Sequence, residues 1–355
     1  MVFLALCPTV LQQWVLNDYV ISPGQAQAVA PLIKISGIEH SVAKPDILLT
    51  DVYIQQVTAW GWLAAHLHSD EEIVSGSDLT DPGVPLSELE AQGYLQMSDA
   101  KTAATAAALS ALGWQLPIQF HGATVGGVVS HSPAMRAGIH VADRIVSIRG
   151  IPVRSACDLL RALKNIAPLS RVLVGLSPAT ISSSGTITNG TVRVVTATTA
   201  RVPAGLGPSS CPGVVTPQSW LGIETENAIS FLTPGTISVA TPNIGGPSAG
   251  LAMTLGIIDS LTAGRLTNGR VIAATGTMDA DGHVGDVGGV AQKTVAVERA
   301  GATIFMVPQV EYATALSASN GHLRIIGVTT LAQALRALRG NSAPLIPMTK
   351  PSVVK

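Results

Sequence analysis

Apolar positions along the chain recur with two periods, and their order predicts the elements. Ile47 to Val57 (ILLTDVYIQQV) is rich in β-branched residues and predicts a strand. Val20–Ile21 and Pro31 to Ile35 predict short strands about a Ser22-Pro23-Gly24 turn. Trp60 to Leu67 predicts a short helix, and Leu86 to Leu112 a long one whose Ala-rich stretch 103–108 gives a smooth apolar face. Val125 to Val129 predicts a strand, Ser132 to Ile139 a short helix ended by glycine, and Ala142 to Val153 a strand, turn and strand. Ser155 then caps a helix over Cys157 to Lys164. Residues 179–190 are rich in Ser, Thr and Gly and read as a flexible hairpin tip. Pro203, Pro208, Pro212 and Pro217 mark a linker. Beyond it, Thr236 to Ala240 reads as extended, Leu251 to Leu261 as an apolar helix and Val290 to Ala300 as another helix. A strand ending in Val307-Pro308, a helix, a strand over His322 to Val328 and a last helix complete the pattern. The fold class is α+β and multidomain. The expected divisions are a membrane-proximal apolar segment 1–16, an α/β segment 17–115, a unit 116–202, a linker 203–217, a unit 218–340 and a loose tail 341–355.

Composition narrows the class. Apolar residues make up 47% of the 355 positions and charged residues 12%, which suits folded cores and excludes a disordered chain. The formal net charge is −1 and no basic cluster occurs, so no nucleic-acid partner is expected. Cys7, Cys157 and Cys211 are widely spaced without a C-x-x-C pair. They read as small thiols, with one bond, Cys157–Cys211, open to a chain outside the cytoplasm. Met1 to Leu16 is apolar, but Pro8 and Gln12-Gln13 interrupt it, and no basic residue precedes Lys34. A spanning helix needs about 20 apolar residues. This stretch therefore reads either as a docked segment or as the distal end of an anchor that starts upstream.

Chemistry concentrates between Asn243 and Lys293. Ser248 lies in Gly246-Pro247-Ser248-Ala249-Gly250, between an extended run and an apolar helix. Backbone N–H groups point outward at such a helix start, which suits a nucleophile whose attack creates an oxyanion. A serine needs a base. The G-x-S-x-G pattern of an esterase elbow would require His283 or His322 downstream. The other base is Lys293, in the first turns of a helix opened by Gly288-Gly289. Burial and the helix N-terminal field would lower its pKa toward ~7–8. His66 and His68, with Asp70, Glu71 and Glu72, read as a surface cluster rather than a metal site.

The G-P-S-A-G cradle, Thr275-Gly276, the run Gly282-x-Val284-Gly285-x-Val287-Gly288-Gly289 and Lys293 together resemble the Lon-type Ser–Lys peptidase domain. Asn243-Ile244-Gly245 and Thr275-Gly276-Thr277 resemble the bacterial, PDZ-containing, membrane-anchored Lon-like proteases more than the ATP-dependent Lon enzymes. Gly245 stands where Lon enzymes commonly have Asp, and Thr277 where they have Glu. Ser132-Pro133-Ala134, Ala137-Gly138-Ile139 and Asp143-x-Ile145 resemble a bacterial PDZ core.

The resemblance implies Ser248 as nucleophile, Lys293 as base and Thr275 as a hydroxyl orienting the lysine. Backbone N–H groups at Ser248 and Ala249 would hold the oxyanion, with Gly246 in the cradle. It implies polypeptide substrates, with a PDZ groove along Cys157 to Lys164 and a carboxylate-binding loop in Leu116 to Phe120. It further implies a homo-oligomer at the cell membrane with its catalytic domain outside the cytoplasm. No metal or other cofactor is expected, and no G-x-x-x-x-G-K-[ST] loop for ATP occurs. The competing readings are a non-proteolytic PDZ adaptor and the Ser–His esterase.

Overall fold

The computed structural model describes residues 14–41, 46–79, 84–182, 184–205, 211–214, 217–340 and 345–351. Most of the apolar N-terminal stretch, with Cys7, lies outside them. Among the described residues no helix is long and apolar enough to cross a membrane.

The N-terminal segment is mostly sheet. Strand β1 (Val15–Ala28) lies antiparallel to β3 (Ile47–Thr58) along nearly its whole length, and β2 (Ile33–Ser36) leaves the sheet between them. The expected turn at Ser22-Pro23-Gly24 is instead a register shift inside β1. Asp51 Oδ1 accepts the Gln25 N–H there at 2.7 Å, so the strand bends without ending. Helix α1 (Ala59–Ala65) and β4 (Glu72–Ser75) follow, then the long helix α2 (Leu86–Ala111).

A second sheet begins at β5 (Ile118–Val128). Helix α3 (Pro133–Arg136) has Ser132 as its N-cap, with Oγ accepting from Met135 N–H at 3.1 Å. Strand β6 (Arg144–Ile148), helix α4 (Ala156–Lys164), β7 (Arg171–Ser177) and β8 (Arg193–Thr198) complete this part. The stretch 179–190, expected as a loose tip, contains a short antiparallel ladder pairing Ala179–Ile181 with Ile187–Asn189. The last member of the sheet comes from across the linker: β9 (Ile223–Phe231) pairs with β5, giving the order β8-β7-β6-β5-β9. So the Pro-rich stretch separates β9 in sequence from a sheet to which it belongs in space. A disulfide between Cys157 and Cys211, with Cα atoms 5.6 Å apart, ties that stretch to the first turn of α4. This corrects the reading of both residues as thiols. Their spacing of 54 carries no motif, so only the fold brings them together. Closing a loop of that length stabilises the folded chain by about 4 kcal/mol.

The chain then returns to the first sheet. Strand β10 (Thr236–Val239) pairs with β2. Helix α5 (Gly250–Leu261) is buried at every position, which is why its sequence is apolar all round rather than on one face. Each large side chain on it contributes about 2 kcal/mol by leaving water. After β11 (Ile272–Ala274) come the hairpin strands β12 (Thr277–Met278) and β13 (Val284–Gly285), helix α6 (Val290–Arg299), β14 (Ile304–Pro308), α7 (Tyr312–Ala318), β15 (Arg324–Val328) and α8 (Leu331–Arg339). The sheet order is β15-β14-β11-β3-β1-β4, with β3, β11, β14 and β15 mutually parallel. Its C-terminal half therefore depends on strands from the N-terminal segment, and the second sheet is an insertion in this domain. Of the expected loose tail, the described residues 345–351 dock: Met348 N–H donates to Leu261 C=O at 2.9 Å, and Glu39 N–H to Thr349 Oγ1 at 3.0 Å.

Candidate active site

Ser248 stands two residues before α5, in a turn closed by a bond of 3.2 Å from Gly250 N–H to Pro247 C=O. Ala249, not Ser248, is the N-cap. Three contacts fix the loop. Gly246 N–H donates to Gly93 C=O on α2 at 2.8 Å. Ser248 C=O accepts from Gly276 N–H at 2.9 Å and from Thr275 Oγ1 at 3.2 Å. Gly250 is required by closeness, because a Cβ there would lie 2.8 Å from the Met278 backbone nitrogen. Thr275 is fully buried just beyond β11, and its own N–H is held by Met306 C=O on β14. Its hydroxyl thus donates to the serine's carbonyl, where the resemblance implied that it would orient Lys293.

Lys293 sits one turn into α6. The helix opens at Gly289, whose left-handed backbone (φ 67°) admits glycine readily, and Lys293 N–H closes the first turn on Gly289 C=O at 2.9 Å. Its side chain is 3% exposed. Burial pushes the ammonium pKa down to about 8, although Asp51 and Glu311 pull it back up. Asp51 lies on β3, just past the residues that pair with β11; its carboxyl is raised by burial, against the Gln25 N–H and Lys293 that lower it. Glu311 ends the turn after β14. Sequence reasoning missed both acids. The signal for Asp51 was a carboxylate inside an otherwise apolar strand run.

Ser248 is thus anchored beyond the end of β11, while Lys293 answers to charges just past the paired parts of β3 and β14. Both residues are set at the C-terminal edge of the same parallel strands. Among the described residues no hydrogen bond joins Ser248 Oγ to Lys293 Nζ. Such bonds are often long before substrate binds.

The histidine alternatives are both exposed. His283 is exposed on the β12–β13 hairpin with Nδ1 2.8 Å from Asp279 Oδ2, and that hydrogen bond and charge raise its pKa. His322 is exposed before β15. His66 directs Nδ1 at Trp62 C=O at 2.9 Å.

In the second sheet, β9 is the edge strand beside α4. Ser219 Oγ donates to Leu163 C=O near the helix end at 3.1 Å, and Asn227 Oδ1 accepts the Ala156 N–H at its start at 2.9 Å. A peptide groove would therefore run along β9, entered from Trp220–Gly222. Leu116 to Phe120, the expected carboxylate loop, lies toward the opposite end, where Ile118 pairs with Phe231.

Residues 124–174 match the family model of the PDZ domain, and residues 235–337 that of the Lon protease (S16) C-terminal proteolytic domain. Among solved structures, the PDZ domain of an SdrC-like protein from Listeria monocytogenes is 13% identical, covering 29% of this chain and 86% of that one at a TM-score of 0.22. Its counterpart from Listeria innocua is 16% identical, covering 30% and 93% at a TM-score of 0.22. No curated protein matches the chain. The chain carries a PDZ domain inserted before the last part of a Lon-type proteolytic domain, and the pair supports a Lon-type protease.

Proposed function

We propose that the chain is an ATP-independent serine endopeptidase in which Lys293 is the base for Ser248. The observation that carries this reading is a buried lysine whose pKa falls to about 8, set at the same sheet edge as a serine held in a glycine turn. Neutral Lys293 takes the proton from Ser248 Oγ as that oxygen attacks a peptide carbonyl. N–H groups of Ser248 and Ala249 receive the developing oxyanion. The lysinium returns its proton to the leaving amine, and water activated by the same lysine then clears the acyl-enzyme. Substrates are extended or loosely folded polypeptides, which the PDZ groove along β9 can present. Purified protein is expected to cut casein in the presence of EDTA and without nucleotide. A requirement for ATP or for metal would overturn the reading.

The same proposal places the protein at the membrane, outside the cytoplasm, as a homo-oligomer. The Cys157–Cys211 disulfide supports an oxidising compartment. Trp14, Trp60, Trp62, Leu63 and Leu67 support the membrane, because all are exposed, Trp14 at 62% and Leu67 at 83%. They gather where the apolar N-terminal stretch joins the fold, with Trp14 C=O accepting the Ala59 N–H at 2.8 Å. Tryptophan concentrates at membrane–water interfaces. The protein is expected to float with lipid vesicles and to lose that binding when Trp60 and Leu63 become serine. Vesicle binding unchanged by these substitutions would remove the support from this patch.

A further inference from the structure

A cavity of about 380 Å³ opens between the two domains, one residue from the reactive serine. Its walls are α2 on one side and β9 on the other, and its floor is Pro247 and Met278. Pro247 precedes Ser248, and Met278 backs directly onto Gly250 at the start of α5. Most of the lining is apolar, including Ile229 and Phe231 from β9. Beside the polar Gln96, Thr102 and Asn227 it holds three carboxylates: Asp99 from α2, Glu226 from β9 and Asp279 after β12. No lysine or arginine lines the cavity.

The geometry points to a specificity pocket that accepts a lysine or arginine side chain of the substrate, close to the bond that is cut. This inference rests on the peptidase reading above and adds its substrate class. The apolar walls suit the aliphatic stem of such a side chain and the carboxylates its charged end. Of the three acids, Asp279 is already engaged by His283. Asp99 and Glu226 face each other across the cavity and share a hydrogen bond. Burial in the cleft, and then the charge and hydrogen bond of Glu226, push the Asp99 carboxyl up to about 8. With no cation present the Asp99 carboxyl therefore keeps its proton at neutral pH. An entering ammonium or guanidinium displaces that proton to solvent and offsets the charge the carboxylate then carries. A neutral side chain leaves the pair as it is, and an acidic one is repelled. One wall belongs to the PDZ domain, so the pocket exists only while the two domains are docked. The same strand, β9, borders the peptide groove beside α4, which places both substrate contacts on one element.

The test compares two fluorogenic peptides identical except for lysine or norleucine, placed in turn at each position within three residues of the cut. The parent protein is expected to favour lysine at one fixed position by about tenfold in kcat/KM, the effect of one partly desolvated ion pair. The double variant Asp99→Asn, Glu226→Gln should lose that preference and keep its rate on the norleucine peptide. No preference in the parent, or an equal loss on both peptides, would overturn the inference, the latter by assigning the acid pair to domain docking. The peptides' binding to the Ser248→Ala protein, read by fluorescence anisotropy, separates this from the peptidase reading. If neither peptide is cut but lysine still binds more tightly, and the added acid substitutions remove the difference, the pocket stands and the peptidase reading falls. Equal binding overturns the pocket.

Discussion

Ser248→Ala is expected to lower kcat/KM for peptide cleavage by at least about 10⁴-fold, the scale of losing a nucleophile, with the circular dichroism and Tm of the parent retained. The separation of activity from folding follows from the serine's structural duties. These run through its carbonyl, which holds Thr275 and Gly276 and which alanine keeps. Ala249 occupies the N-cap, so the hydroxyl makes no capping bond whose loss would cost about 1 kcal/mol. A fluorophosphonate should label the parent and not the variant. Labelling of neither protein would favour the adaptor reading, and so would full cleavage by the variant count against Ser248. His283→Ala and His322→Ala should both keep turnover. Loss in either would restore the Ser–His esterase.

The sequence made the chemistry at the starts of α5 and α6 legible because Ser248 stands among glycines before an apolar helix and Lys293 follows a glycine pair. What it concealed are the pairings made across long separations. Ile223–Phe231 reads I-E-T-E-N-A-I-S-F, with little alternation to mark it as the edge strand of a sheet begun before the linker. β1 looked like two fragments because a proline and a glycine fall at its register shift, where the Asp51 carboxylate accepts the N–H that the ladder loses. Cys157 and Cys211 carry no spacing signal, and their bond depends on where the linker crosses α4. The tail 345–351 carries two prolines and no periodic pattern, yet its backbone finds partners in α5 and near Ile38. In the site itself, Thr275 was legible as a residue but not in its contact, since only the fold shows its hydroxyl directed at Ser248 C=O.

Lys293→Met is expected to abolish cleavage while raising Tm at neutral pH. In the folded parent the lysine's pKa is about 8, against an ordinary value of 10.5. Between these two values the unfolded chain holds a proton that the folded one has released, so stability rises with pH across that window. Below it the folded protein carries a buried ammonium at a cost of about 3 kcal/mol relative to the neutral amine. The attraction of Asp51 and Glu311 is already included in that figure, since both act on the same pKa. Methionine keeps the apolar stem and omits the charge, so the variant should be more stable than the parent at pH 7, with the difference shrinking as pH climbs from 8 toward 10.5. Activity in the parent should follow the complementary curve. Each pH unit below about 8 should reduce the neutral, proton-accepting fraction, and with it kcat/KM, by about tenfold, with a plateau above. Both curves come from one titration, so the midpoint of the activity profile and the onset of the stability change must agree near pH 8. A flat activity profile from pH 6 to 9, or a Tm difference that does not change with pH, would mean that Lys293 is not the group whose deprotonation enables the reaction.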